Sequence, residues 1–336
     1  MSAHPRKSLT VALLAASFVL AACGGGDDDK KAGDEPSGSA TEPTPEMVVV
    51  SPLTGEPVKA QPKHPIVIVK IDNSHASAPQ IGLGSADLVT EELVEGGITR
   101  LAVFFDQKIP QTVGPVRSMR ATDIGVVQPA KAVLVASGGA PVTVNRIRGA
   151  HITTYTEGAT GYYRDSSRFP PYNLMMKLSE LVKTIKKSDR VRTYLPFAED
   201  GSEFPKGQKA RGLDAVFSGS SSTHWQFESG KYVNTNSNAA LDDRFKPDTV
   251  LVLRVRVGDA GYVDPAGNPV PETVFTGTGQ AMVFHDGRLV RASWSKSDFD
   301  SELKLSTRQG ALQLPPGKVW IELVPEATGN VVIRKK

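Results

Sequence analysis

Runs of branched apolar residues recur along the chain at strand length, and the residues between them say how they connect. Pro65-Ile66-Val67-Ile68-Val69-Lys70-Ile71 is nearly continuous in apolar character and is bounded by Pro65 and by Asp72-Asn73. That pattern predicts a strand buried on both faces, in mid-sheet. Leu88 to Glu95 and Ile98 to Phe105 are two runs of matching length separated by Gly96-Gly97, which predicts an antiparallel hairpin with a two-residue turn. A helix over Ala86 to Glu95 competes, because Asp87, Glu91 and Glu95 recur at i, i+4. Gly114-Pro115-Val116-Arg117-Ser118 reads as a turn into a helix capped by Ser118 and running towards Val127. Lys131 to Ala136 predicts another strand, which passes through Ser137-Gly138-Gly139-Ala140-Pro141 into a helix ending near Arg148. Leu174, Leu178, Leu181, Val182 and Ile185 form the stripe of an amphipathic helix over Leu174 to Lys187.

Beyond Ala198 the chain turns polar, ending in Ser218-Gly219-Ser220-Ser221-Ser222, and a domain boundary is expected there. Short strands with turns between them follow, at Trp225–Phe227, Lys231–Val233, Val250–Val257, Ala281–His285, Leu289–Trp294, Lys304–Ser306, Val319–Val324 and Val331–Arg334. Asp286-Gly287 marks one hairpin. The pattern predicts an α+β protein: an α/β-like first domain (47–217) with a mixed sheet and helices, then a mostly β second domain (223–336).

The amino terminus changes the picture. Arg6 and Lys7 precede an uncharged run, Leu9 to Leu20, of roughly 12 residues, the length of a signal-peptide core and short for a bilayer span. Leu20-Ala21-Ala22-Cys23 has the form of a bacterial lipobox, so residues 1–22 are expected to be removed and Cys23 to carry lipid. That would hold the protein on the outer face of the cell membrane. Residues 23–46 are Gly, Asp, Lys, Ser, Thr, Pro and Glu with few apolar positions, the composition of a disordered tether, spanning roughly 25–30 Å. Removing Arg6 and Lys7 lowers the formal charge from +3 to +1, and no basic stripe interleaved with aromatics remains, so nucleic acid is not an expected partner. Six histidines without a helical pair, and no cysteine beside Cys23, call for no metal. No cofactor motif is present; the glycine turn after Ala136 matches neither G-x-G-x-x-G nor the P-loop.

The densest charge lies between Asp87 and Arg120, where Glu91, Glu95, Arg100, Arg117 and Arg120 stand among core-grade apolar residues. Such charges must pair with one another or face a cleft. In the first expectation they line, with Asn73 and Asn173, an Arg/Glu cleft for a cell-wall component such as peptidoglycan or for an envelope protein, arginine forks gripping carboxylates. The alternative is a glycan-cleaving wall enzyme with Glu95 as proton donor. Along a strand Glu91 and Glu95 stand ~13 Å apart, too far for an easy carboxylate pair. In a third arrangement Glu91 or Glu95 pairs with Arg100, and the remaining arginines tie a helix start to the sheet.

Pro52-Leu53-Thr54-Gly55, Asp72-Asn73, Gly84-Ser85-Ala86-Asp87, Glu95-Gly96-Gly97-Ile98-Thr99-Arg100 and Gly114-Pro115-Val116-Arg117-Ser118 together resemble the YerB-like lipoprotein family. In the second half Gly279-Gln280-Ala281, Gly287, Trp294 with Lys296, and Leu314-Pro315-Pro316-Gly317-Lys318-Val319-Trp320 look like that family's carboxyl-terminal domain. The resemblance implies an envelope location and a two-domain layout, and no settled chemistry. The chain departs from the family pattern at Ser137, where a histidine precedes the double glycine in relatives. It departs again at Pro171-Tyr172-Asn173, where relatives tend to Pro-His-Asn.

Overall fold

The computed structural model describes residues 48–186, 189–199 and 203–335. The expected signal peptide, Cys23 and the tether lie outside the described residues. In chain order the first half forms β1 (Val67–Asp72), β2 (Leu88–Leu93), β3 (Thr99–Phe105), α1 (Asp123–Val127), β4 (Val133–Val135), α2 (Pro141–Gly149), β5 (Thr154–Tyr155), β6 (Tyr162–Arg164), β7 (Leu174–Met176) and α3 (Leu178–Val182). The second half continues with β8 (Gln208–Lys209), β9 (Gly212–Val216), β10 (Ser222–Glu228), β11 (Lys231–Asn234), β12 (Thr249–Val263) and β13 (Pro269–Val274). It ends with β14 (Gly277–His285), β15 (Arg288–Lys296), β16 (Lys304–Thr307), β17 (Gly310–Leu312), β18 (Val319–Pro325) and β19 (Asn330–Arg334). The fold is α+β with a mixed sheet, as expected.

One sheet runs through both halves in the order β17-β16-β15-β14-β12-β18-β2-β3-β1-β4-β5, with β13 and β8 attached to β12 and β15. The joint is β18. Its Val-Trp-Ile-Glu-Leu-Val-Pro run is buried at every position, the mark of a strand covered on both faces. It lies parallel to β12 on one side and to β2 on the other. Strands from both sides of the expected 217/223 boundary therefore share one ladder, and residues 47–336 form one compact unit. A second sheet, β11-β10-β9-β19, packs on one face through Leu213, Trp225 and Tyr232 against Val89, Val103 and Trp320. On the opposite face, Leu88, Phe104 and Ile68 pack with Ile124 and Val127 of α1, Ile147 of α2 and Tyr194.

Three local expectations change. The hairpin pairs β2 with β3 in the predicted antiparallel sense, but its connection has three residues. Val94 N–H donates to Ile98 O at 2.8 Å, and Gly96 and Gly97 take φ of 70° and 71°, which glycine adopts without a side-chain penalty. The helix expected from Ser118 begins only at Asp123, because the preceding segment is drawn out against the sheet. Arg117 N–H donates to Lys70 O, and Ser137 N–H donates to Arg117 O. Asp123 Oδ2 then accepts Arg120 N–H at 2.7 Å. The long helix over Leu174 to Lys187 shrinks to Leu178–Val182, since Leu174–Met176 pairs with β6 and Val113 exchanges backbone bonds with Met176. There pairing partners override a helical stripe.

Candidate functional site

Strand alternation divides the charged residues between the two faces of the central sheet. In the register Asp72↔Arg100 and Glu92↔Arg100, the side chains of Lys70, Asp72, Glu92 and Arg100 share one face, and Glu91 takes the other. The single Arg/Glu-lined cleft expected from sequence therefore resolves into two places. Arg100, Arg117 and Arg120 do not line the cleft that holds Asn73 and Glu91.

The first place is a charge network. Lys70 Nζ donates to Glu92 Oε1 at 2.6 Å and to Asp123 Oδ1 at 2.7 Å, all three side chains being buried. Burial pulls the Lys70 pKa down, but the two carboxylates outweigh it and hold the ammonium above its usual range. Arg120 grips Glu95 with two nitrogens, Nε donating to Oε2 at 2.9 Å and Nη2 to Oε1. Arg100 lies 3.5 Å from the same carboxylate, and burial together with the Arg120 charge pushes its pKa down to about 10. Arg117 pairs with Asp72 at 2.9 Å and lies over the Tyr172 ring at 5.4 Å. Asn173 is engaged elsewhere, accepting from Arg164 Nη1 at 2.7 Å.

Four cations thus meet four carboxylates with no surplus, which is the pairing that buried charges require. A glycosidase proton donor needs a raised pKa. At Glu95, burial raises it, but the Arg120 hydrogen bonds and the charges of Arg100 and Arg120 outweigh burial and leave it below the usual carboxylate range. The geometry gives no support to Glu95 as an acid.

The second place is open. A cleft of about 360 Å³ lies where the end of β1 and the start of β3 meet the Ser220–Thr223 and Asn234–Asn238 segments. Its lining is amides and hydroxyls, among them Asn73, Thr99, Thr223, Asn236 and Asn238, with Glu91 on the floor and no lysine or arginine. Asn73 Nδ2 donates to Glu91 Oε1 at 2.9 Å and to Thr99 Oγ1 at 2.8 Å, and Thr223 Oγ1 sits 2.9 Å from both Glu91 oxygens.

Behind Glu91 stands Glu322, its register partner on β18, fully buried and accepting Trp225 Nε1–H at 2.6 Å. Burial raises the pKa of both carboxyls, and the Glu91 charge drives Glu322 well up. Two adjacent buried carboxylates cannot both ionise cheaply. The donors Asn73 and Thr223 favour the charge on Glu91, and burial beside that charge favours the neutral form of Glu322. Sequence reasoning picked out Asn73 and Glu91 but not Glu322, Thr223 or the asparagines of the second half. A lone acid in an otherwise apolar run was the available signal for Glu322.

Residues 53–191 match the family described as the N-terminal domain of a protein of unknown function (DUF3048), and residues 213–321 match its C-terminal domain. Over 292 residues the chain is 23% identical to "Putative lipoprotein YerB" of Bacillus subtilis (strain 168), covering 82% of this chain and 86% of that protein. The crystal structure of the YerB protein from Bacillus subtilis has the same fold, with a TM-score of 0.69 at 18% identity over 84% of this chain and 99% of that one. With both family domains present and in order, the chain belongs to the YerB-like DUF3048 family.

Proposed function

We propose that this protein is a lipid-anchored envelope protein, held at the outer face of the cell membrane through Cys23 and the 23–46 tether. Its polar cleft binds a hydroxyl- and amide-rich segment of a wall polymer. The lipobox-like Leu20-Ala21-Ala22-Cys23 and the lipoprotein name of the Bacillus relative support the anchor. The observation that carries the binding reading is the cleft itself. Its wall presents uncharged donors and acceptors, and the floor carboxylate is already satisfied by Asn73 and Thr223. A glycan strand offers the matching hydroxyls and acetamido groups, and direct hydrogen bonds of this kind contribute about 0.5–1.5 kcal/mol each. Among the described residues, the His75 imidazole and the Ser221 hydroxyl make no internal hydrogen bond and are available to a ligand.

The test is titration of the purified protein with a soluble N-acetylglucosamine oligomer, followed by calorimetry or NMR. Wild-type protein should bind, and a His75→Ala, Ser221→Ala double variant should bind roughly tenfold more weakly, two lost hydrogen bonds at the scale above. Absence of binding, or equal affinity in the two proteins, would overturn the cleft reading. A Cys23→Ser variant should leave the membrane fraction.

A further inference from the structure

One cleft-lining residue, Ser222, belongs to a second constellation on the outer face of β10, opposite the inward-facing Thr223. Ser222 and His224 are two residues apart on β10, so their side chains project from the same face, and Asp214 stands directly opposite His224 in the antiparallel register with β9. Ser222 Oγ is 2.9 Å from His224 Nε2, and His224 Nδ1 is 2.6 Å from Asp214 Oδ1. Arg334 of β19 reaches the same contact, with Nη2 2.5 Å from that Asp214 oxygen and 3.3 Å from His224 Nδ1.

The hydrogen-bond network assigns the tautomer. A carboxylate oxygen can only accept and a guanidinium nitrogen only donate; Asp214 at 2.6 Å is much the closer of the two to Nδ1, against 3.3 Å for Arg334, so His224 Nδ1 carries the ring proton. Nε2 is then bare and accepts the Ser222 hydroxyl. Serine to the distal nitrogen, and acid to the proximal one, is the geometry by which an imidazole serves as base for a serine nucleophile. All three side chains are partly exposed, and Ser222 is among the residues lining the 360 Å³ cleft, beside Ser221 and Asn236.

We propose that Ser222, His224 and Asp214 form a nucleophilic triad that removes acyl groups from an ester-bearing, hydroxyl-rich ligand seated in the neighbouring cleft. The ligand class rests on the cleft reading above; the nucleophile does not. Ser222 Oγ attacks the ester carbonyl carbon while His224 Nε2 takes its proton. The bond to the ligand oxygen then breaks, and that oxygen leaves with the proton from Nε2. Water attacks the acyl-serine, giving a proton to Nε2, and Ser222 recovers it as the carboxylic acid departs. Asp214 keeps Nδ1–H oriented and stabilises the imidazolium, with Arg334 fixing Asp214 in place.

A fluorophosphonate probe, which reports an activated serine without needing the ligand, tests the nucleophile in the purified full chain. Peptide mapping should place the adduct on Ser222. His224→Ala should slow labelling and hydrolysis of 4-nitrophenyl acetate by roughly 100-fold or more, and Ser222→Ala should abolish both at that site. Circular dichroism checks the fold of each variant. Failure of folded wild-type protein to label, or ester hydrolysis surviving Ser222→Ala unchanged, would overturn the triad. Labelling of Ser222 without binding of the N-acetylglucosamine oligomer would retain the triad and reject that ligand class. Binding without labelling would do the reverse.

Discussion

Glu322 is the one acid within the apolar β18, and its proton connects sequence to stability. Its pKa in the folded state lies above the 4.5 of a free glutamate. A group of that kind contributes stability that is complete below the unfolded pKa and is lost as pH rises through the folded one. Stability should therefore fall as pH climbs beyond the ordinary carboxyl range. Asp87, raised by burial to about 6, adds a loss in the same direction, so the informative quantity is the difference between two profiles. Glu322→Gln supplies a permanently neutral group of the same shape. Its melting temperature should decline less steeply between acid and alkaline pH than that of wild type. Parallel profiles would place the proton elsewhere. The sequence showed Glu91 as an acid among core residues, but its partner lies on β18 near the far end of the chain. Only the insertion of that strand beside β2 brings the two together, and no local pattern encodes it. Ser222, His224 and Asp214 were hidden for the same reason: the i, i+2 spacing was visible, whereas Asp214 needed the β9–β10 register.

At the scale of elements, the sequence was most readable where burial and turn chemistry agreed. β1, the β2–β3 pair and the Asp286-Gly287 hairpin follow from apolar runs bounded by turn residues. The helices near Ser118 and over Leu174 to Lys187 were over-extended, because each segment contains residues that the sheet or β6 recruits into extended pairing. The β2–β3 connection also does more than reverse the chain. Ser218 Oγ donates to Gly97 O at 2.6 Å, so the turn docks on the serine-rich segment that borders the cleft. A Cβ on Gly97 would meet Ser220 Oγ at 2.9 Å, whereas one on Gly96 would meet nothing within 4 Å. Both glycines have positive φ, so each alanine substitution should cost about 1–2 kcal/mol from backbone strain. Gly97→Ala should exceed Gly96→Ala in urea denaturation, the excess reporting the docked serines. Equal costs would show that the docking adds nothing to stability.

For the molecule as a whole, the two family segments are successive in sequence, yet β18, which begins as the second segment ends, lies between β12 and β2. Seven buried residues and two parallel ladders would be lost with it, leaving the first half with an unpaired edge at β2. Such an edge is an aggregation template. The sheet should therefore unfold as one cooperative unit. All three tryptophans, Trp225, Trp294 and Trp320, lie in the second half, and Trp225 and Trp320 share a buried cluster with Val89 and Val103, so their fluorescence reports the second half and its seam with the first, while amide exchange in β1 and β3 reports the first. Both probes should give the same urea midpoint, and a chain ending at Gly317 should fail to protect the β1 and β3 amides. Separate midpoints, or protected amides in the truncated chain, would mean that the first segment folds without β18. The shared ladder would then be a docking surface between two independent domains, and the cleft floor, with Glu91 on one side and Glu322 on the other, would assemble only after both had folded.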